Sequence, residues 1–141
     1  IYLPDLKFTD PLLARRYTSR ADYAEYTLPA IRFMAEKQLK MTEDGKMLSG
    51  CIIRHLVLPL ASYDSVNVVK FISTLPESVY FSLMSQYTPF GEIENYKELQ
   101  RKITKREYEK VLSAVEEYGL KNVFIQDYDS AEQAFIPDWD F

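Results

Sequence analysis

Residues 51–59 read CIIRHLVLP. The run is apolar except for one adjacent pair of side chains that can carry charge, Arg54 and His55, and it closes on Pro59. A continuous Ile/Leu/Val stretch of this length reads as a strand covered on both faces, as inside a parallel sheet. A guanidinium there cannot shed its proton, so Arg54 requires a carboxylate, a phosphate, a ligand or water. Because side chains alternate along a strand, Arg54 and His55 face opposite sides. His55 is assigned to the helix layer in a structural role, and Arg54 to the interior side of the sheet.

Three further segments read as strands around this one. IYLPDLKF, residues 1–8, places Ile1, Leu3, Asp5 and Lys7 on one face, although Pro4 removes a ladder donor and marks an edge. VYFSLM (79–84) and NVFIQD (122–127) supply the third and fourth. Between them lie helical patterns. Thr9 or Asp10 caps a short helix with Pro11 in its first turn, running to about Tyr17. A second helix ends near Lys40 and begins either at Asp22, kinking at Pro29, or at Thr27 with Pro29 in its first turn. Thr42 to Gly45 is a turn. Asp64 or Ser65 caps a third helix that Pro76 stops, and TKRE (104–107) is a capping box opening a fourth that ends at Gly119. Residues 85 to about 102 show no regular pattern, and a loop of that length is usually a lid or a binding loop. The acidic, aromatic tail from Tyr128 to Phe141 reads as a strap over the domain. The alternation predicts one α/β domain over 1–141, a partial (β/α) barrel of about four parallel strands with flanking helices.

Composition narrows the function. The chain has 141 residues, 47% hydrophobic and 14% aromatic, which supports a packed core. A net charge of -4 provides no basic field, so nucleic acid is not an expected partner. No apolar run reaches the roughly 20 residues of a membrane span, and no signal peptide opens the chain. It reads as cytoplasmic. A single cysteine, Cys51, excludes a disulfide framework and an all-cysteine metal site. The chain opens at Ile1 already inside a strand pattern, as a fragment of something longer would.

No GxSxG, HExxH, glycine-rich phosphate loop or CxxC is present, and His55 is the only histidine. Glu92 and Glu94 are spaced like a carboxylate pair, but in an irregular polar loop their default state is solvated. A hydrolytic reading would need them to converge on the strand ends. In parallel α/β sheets ligands sit at those carboxyl ends, which gathers Lys7, Arg54, Gln86 and Tyr87, with Asp5 beside Lys7. Two cations and an acid suit a zwitterion, such as the amino acid end of a small ligand. A plain surface ion pair at an edge is the competing reading of Asp5 and Lys7.

YLPDLKF, GCIIRHLVLP, VYFSLMSQYTP and RKITKREYEKV, in that order, resemble the C-terminal half of the radical S-adenosylmethionine proteins related to pyruvate formate-lyase activating enzyme. The resemblance covers essentially the whole chain. It implies a parent enzyme that binds a four-iron four-sulfur cluster and S-adenosylmethionine, cleaves the cofactor reductively and abstracts hydrogen from a partner, such as a glycyl radical enzyme or another protein or peptide substrate. It places Asp5, Lys7 and Arg54 at the methionyl end of the cofactor. Ser85, Gln86 and Tyr87 fall near the cofactor or the partner peptide, with tyrosine at position 87 where the activating enzyme has histidine. The family's CxxxCxxC cluster loop is missing, so these residues alone cannot perform the reaction. The competing expectation is a non-catalytic half-barrel that serves as an interaction or scaffold domain, self-associating through exposed strand edges.

Overall fold

The computed structural model describes residues 1–128. Helix α1 spans Pro11–Thr18, opened by Asp10, whose side chain accepts from the Leu12 N–H at 2.7 Å, with Pro11 in the first turn. Helix α2 spans Tyr23–Ala35, which settles the two possible starts in favour of the earlier one and leaves Pro29 inside the helix. Asp22 precedes it without capping it, because its carboxylate is engaged by Arg20 at 2.8 and 2.9 Å. Strands β1 (Lys40–Met41) and β2 (Met47–Ser49) form an antiparallel hairpin around the expected turn. Gly50 then swings the chain into β3 (Ile52–Leu56) at φ 147, where a Cβ would meet Met47 Sδ at 3.1 Å.

Helix α3 covers Ser62–Ile72 and starts earlier than Asp64 or Ser65, with Ala61 at its cap and no side-chain capping bond. Strand β4 is Tyr80–Met84. The long loop after it contains one 3₁₀ turn, Lys97–Gln100. Helix α4 is Lys105–Glu117, with both halves of the Thr104/Glu107 capping box in place, and Gly119 beyond it sits at φ 66. Strand β5 is Val123–Ile125. The strap expected over residues 129–141 lies outside the described residues; Tyr128, its first member, donates its hydroxyl to the Ile103 carbonyl at 2.9 Å.

The sheet corrects the predicted fold class. It has three parallel strands in the order β3-β4-β5, with Arg54 beside Ser82 and Ser82 beside Phe124, and the β1-β2 hairpin is separate. There is no barrel closure and no fourth parallel strand among the described residues. Residues 1–8 run alongside β3 through two isolated bridges, Tyr2 to Cys51 and Asp5 to Arg54. The physical reason is Pro4. Tyr2 N–H donates to Gly50 O, Ile52 N–H to Tyr2 O, Arg54 N–H to Pro4 O and Leu6 N–H to Arg54 O, at 2.9 to 3.0 Å. The donor missing from that series is the one at position 4, where proline has none.

Burial alternates along β3. Cys51, Ile53, His55 and Val57 are buried, and Ile53 and Val57 join Phe81 and Leu83 of β4, Val68 and Val69 of α3, and Val111 and Val115 of α4 in one core. Ile31 and Ala35 of α2 and Leu6 belong to it too. The opposite row, Ile52, Arg54 and Leu56 with Tyr80, Ser82 and Met84, is only partly covered. Arg54 and His55 therefore point to opposite sides, as the period of two requires. Among the described residues no helix is long and apolar enough to cross a membrane.

Candidate functional site

Asp5 and Arg54 are held side by side by backbone pairing between the first segment and β3. Arg54 Nε donates to Asp5 Oδ1 at 2.7 Å, and the two side chains are 46% and 43% exposed. An ion pair so open to water contributes little to stability. It does orient the guanidinium. Neither the terminal nitrogens of Arg54 nor Lys7 Nζ has a partner among the described residues, and Asp5 keeps its second oxygen. Asp5, Lys7, Phe8, Arg54, Leu56 and Met84 line a cavity of about 320 Å³ on the partly covered face. The lining offers two cationic donors, one carboxylate acceptor and an apolar floor. That set can pair a carboxylate with Arg54 and Lys7, an ammonium with Asp5, and a short aliphatic or thioether chain with Leu56 and Met84. The competing Asp5–Lys7 edge pair does not form; the partner of Asp5 is Arg54.

The segment that carries Asp5 and Lys7 is fixed from the buried side. Tyr23 of α2 donates its hydroxyl to the Asp5 carbonyl at 3.2 Å and accepts the Lys7 N–H at 3.1 Å. His55 Nδ1 lies 2.6 Å from the Leu6 carbonyl oxygen, so it carries the proton, and Nε2 accepts from Ser65 Oγ at 2.8 Å. The ring is only 3% exposed, and burial pushes its pKa below the ordinary 6.5. Asp64, equally buried, accepts the Thr9 and Asp10 N–H groups and the Thr9 hydroxyl. Asp64 was expected only as one of two candidate caps of α3, with Ser65 the other, and Tyr23 had no expected role. Asp64 did leave a trace in the sequence: it shares the buried stripe of α3 with Ser65, Val68, Val69 and Ile72, where a carboxylate needs donors.

Ser85, Gln86 and Tyr87 follow β4 but do not line this cavity. Ser85 is buried, its hydroxyl donating to Asp127 O at 3.2 Å and its N–H to Gln126 Oε1 at 3.3 Å, which ties the ends of β4 and β5 together. Tyr87 donates its hydroxyl to Leu99 O at 2.7 Å, and burial raises its pKa. Gln86 is half-buried. The loop beyond is pinned to α1 by Glu98, which accepts from Arg16 at 2.7 and 3.1 Å and from the Tyr17 hydroxyl at 2.7 Å. The Arg16 guanidinium holds the Glu98 carboxyl down at about 2, and burial pushes Tyr17 up to about 12. Glu92 and Glu94 are exposed and outside the cavity, so the convergence that a hydrolytic site would need is not found.

Cys51 is the only cysteine of the chain and is buried on the helix side, where desolvation raises its thiol pKa. Among the described residues no group of three or more His, Cys, Asp or Glu side chains could hold a metal ion. The residues of this chain therefore do not fit an iron-sulfur cluster, which needs thiolates.

No family model and no solved structure matches this chain. It is 26% identical over 125 residues to an uncharacterized protein of Methanocaldococcus jannaschii, an alignment that covers 88% of this chain and 33% of the relative. The chain spans about a third of the length of that relative.

Proposed function

We propose that this chain supplies the binding site for the methionyl end of S-adenosylmethionine in a longer radical protein related to pyruvate formate-lyase activating enzyme. The observation that carries this reading is the Asp5, Lys7 and Arg54 constellation on a cavity of about 320 Å³. Arg54 and Lys7 take the methionyl carboxylate, Asp5 takes the ammonium, and Leu56 and Met84 lie against the carbon chain. The order of the four sequence segments supports it. S-adenosylmethionine held by these residues would supply radical chemistry only in a longer protein that also carries the cluster. The cluster's thiolates would come from outside this chain, and the work of these residues is to bind and orient the amino acid group.

Calorimetric titration of the chain with S-adenosylmethionine, and with methionine and adenosine as competitors, tests the assignment. Cofactor binding that methionine displaces is the expected outcome. Arg54→Ala should weaken it by about tenfold, the effect of removing a charge-assisted contact, while shifting the unfolding midpoint little because the pair is exposed. Absence of cofactor binding, or equal affinity in Arg54→Ala, overturns the proposal.

A further inference from the structure

We propose that Tyr23 and His55 are positioning residues that set the backbone of residues 5–7 and thereby aim Asp5 and Lys7 into the cavity; the functional consequence rests on the cofactor reading above. The observation is an account of where the backbone polar groups go. Pro4 interrupts the pairing with β3, and Leu6 N–H to Arg54 O is the last main-chain bond the segment makes to that strand. Beyond this point side chains from elsewhere take over. Tyr23 Oη bridges the Asp5 carbonyl and the Lys7 N–H, spanning Leu6, and His55 Nδ1 donates to the Leu6 carbonyl between them. Three consecutive residues are thus clamped by a phenol and an imidazole, each fixed in turn. The Tyr23 ring packs edge-on against Phe8 at 6.0 Å, and His55 Nε2 is satisfied by Ser65. Asp64 anchors the turn that follows. A segment free to rotate would scatter the two charged groups that a zwitterion must meet together, and a shift of about 1 Å is enough to lose such recognition.

Tyr23→Phe removes the hydroxyl and keeps the ring. Amide exchange at Lys7, followed by NMR without ligand, should quicken by about tenfold while the β4 amides stay unchanged. Affinity for S-adenosylmethionine should fall by about fivefold. Unchanged exchange at Lys7 overturns the clamp. Faster exchange with unchanged affinity overturns its link to the cavity. If the unmodified chain has no affinity for the cofactor, the proposed function fails alone, and exchange still decides the clamp. At His55 the order of two variants is diagnostic: His55→Asn can place an N–H where Nδ1 stands, and His55→Gln reaches toward Ser65 instead. Protection at Lys7 and cofactor affinity should be kept better in His55→Asn; equal losses in the two variants overturn the assignment of His55.

Discussion

Replacing Glu107 by glutamine removes one charge and almost no volume from the best-satisfied carboxylate in the described structure. Glu107 accepts from the Leu60 N–H at 2.8 Å, from Arg101 Nη1 and Nη2 at 2.9 Å each, and from the N–H and hydroxyl of Thr104 at 2.7 and 3.1 Å. It joins three pieces of chain: the turn after β3, the end of the long loop and the start of α4. The Arg101 guanidinium, ahead of the backbone donors, draws its pKa from the ordinary 4.5 to about 2. That difference corresponds to roughly 3 kcal/mol of preference for the charged form in the folded state. Glu107 is only 13% exposed, but Arg101 is 40% exposed and its share is screened, so about 2 kcal/mol is the expected loss in Glu107→Gln at pH 7. Because the folded carboxyl titrates below its unfolded counterpart, the unfolded chain takes up the proton first in acid. The contribution is therefore full above about pH 4.5 and fades as the pH falls toward 2. Urea denaturation followed by circular dichroism at pH 7 and near pH 3 measures both. The reasoning fails if the variant is as stable as the parent at pH 7, or if its deficit is the same at the two pH values.

Two further outcomes follow from particular contacts. His55 is the chain's single histidine and titrates below 6.5 when folded, so stability should decline as the pH drops below about 6.5, where the unfolded imidazole is protonated and the buried one is not. A denaturation midpoint that is flat from pH 7.5 to about pH 5.5 refutes this. Pro4→Ala restores an N–H opposite the Ile52 carbonyl in an otherwise continuous series. A slowly exchanging amide should appear at position 4, and rapid exchange there shows that the interruption has another cause.

The residues that local chemistry governs were legible one by one. Asp10 before Pro11, the Thr104/Glu107 box and Gly119 after α4 each act within a turn of the backbone, and each stands where the sequence placed it. The alternation that separates Arg54 from His55 was also legible, since it depends only on strand geometry. The β1-β2 hairpin was not: two or three residues per strand are too few to show a period, and only its turn left a signature. Pro4 was read as an edge marker, yet its consequence, two bridges in place of a strand, depended on which strand lay alongside.

The sequence by itself determined that the Arg54 charge would need water or a partner and that Arg54 and His55 would face opposite sides, because a guanidinium keeps its proton and a strand has a period of two. Only the tertiary structure decided that the partner is Asp5, 49 positions away, and that Tyr23 and Asp64 hold the segment carrying it. Those contacts form where separate elements happen to meet, and nothing in the local pattern of α2 or α3 encodes which backbone groups will arrive there unsatisfied.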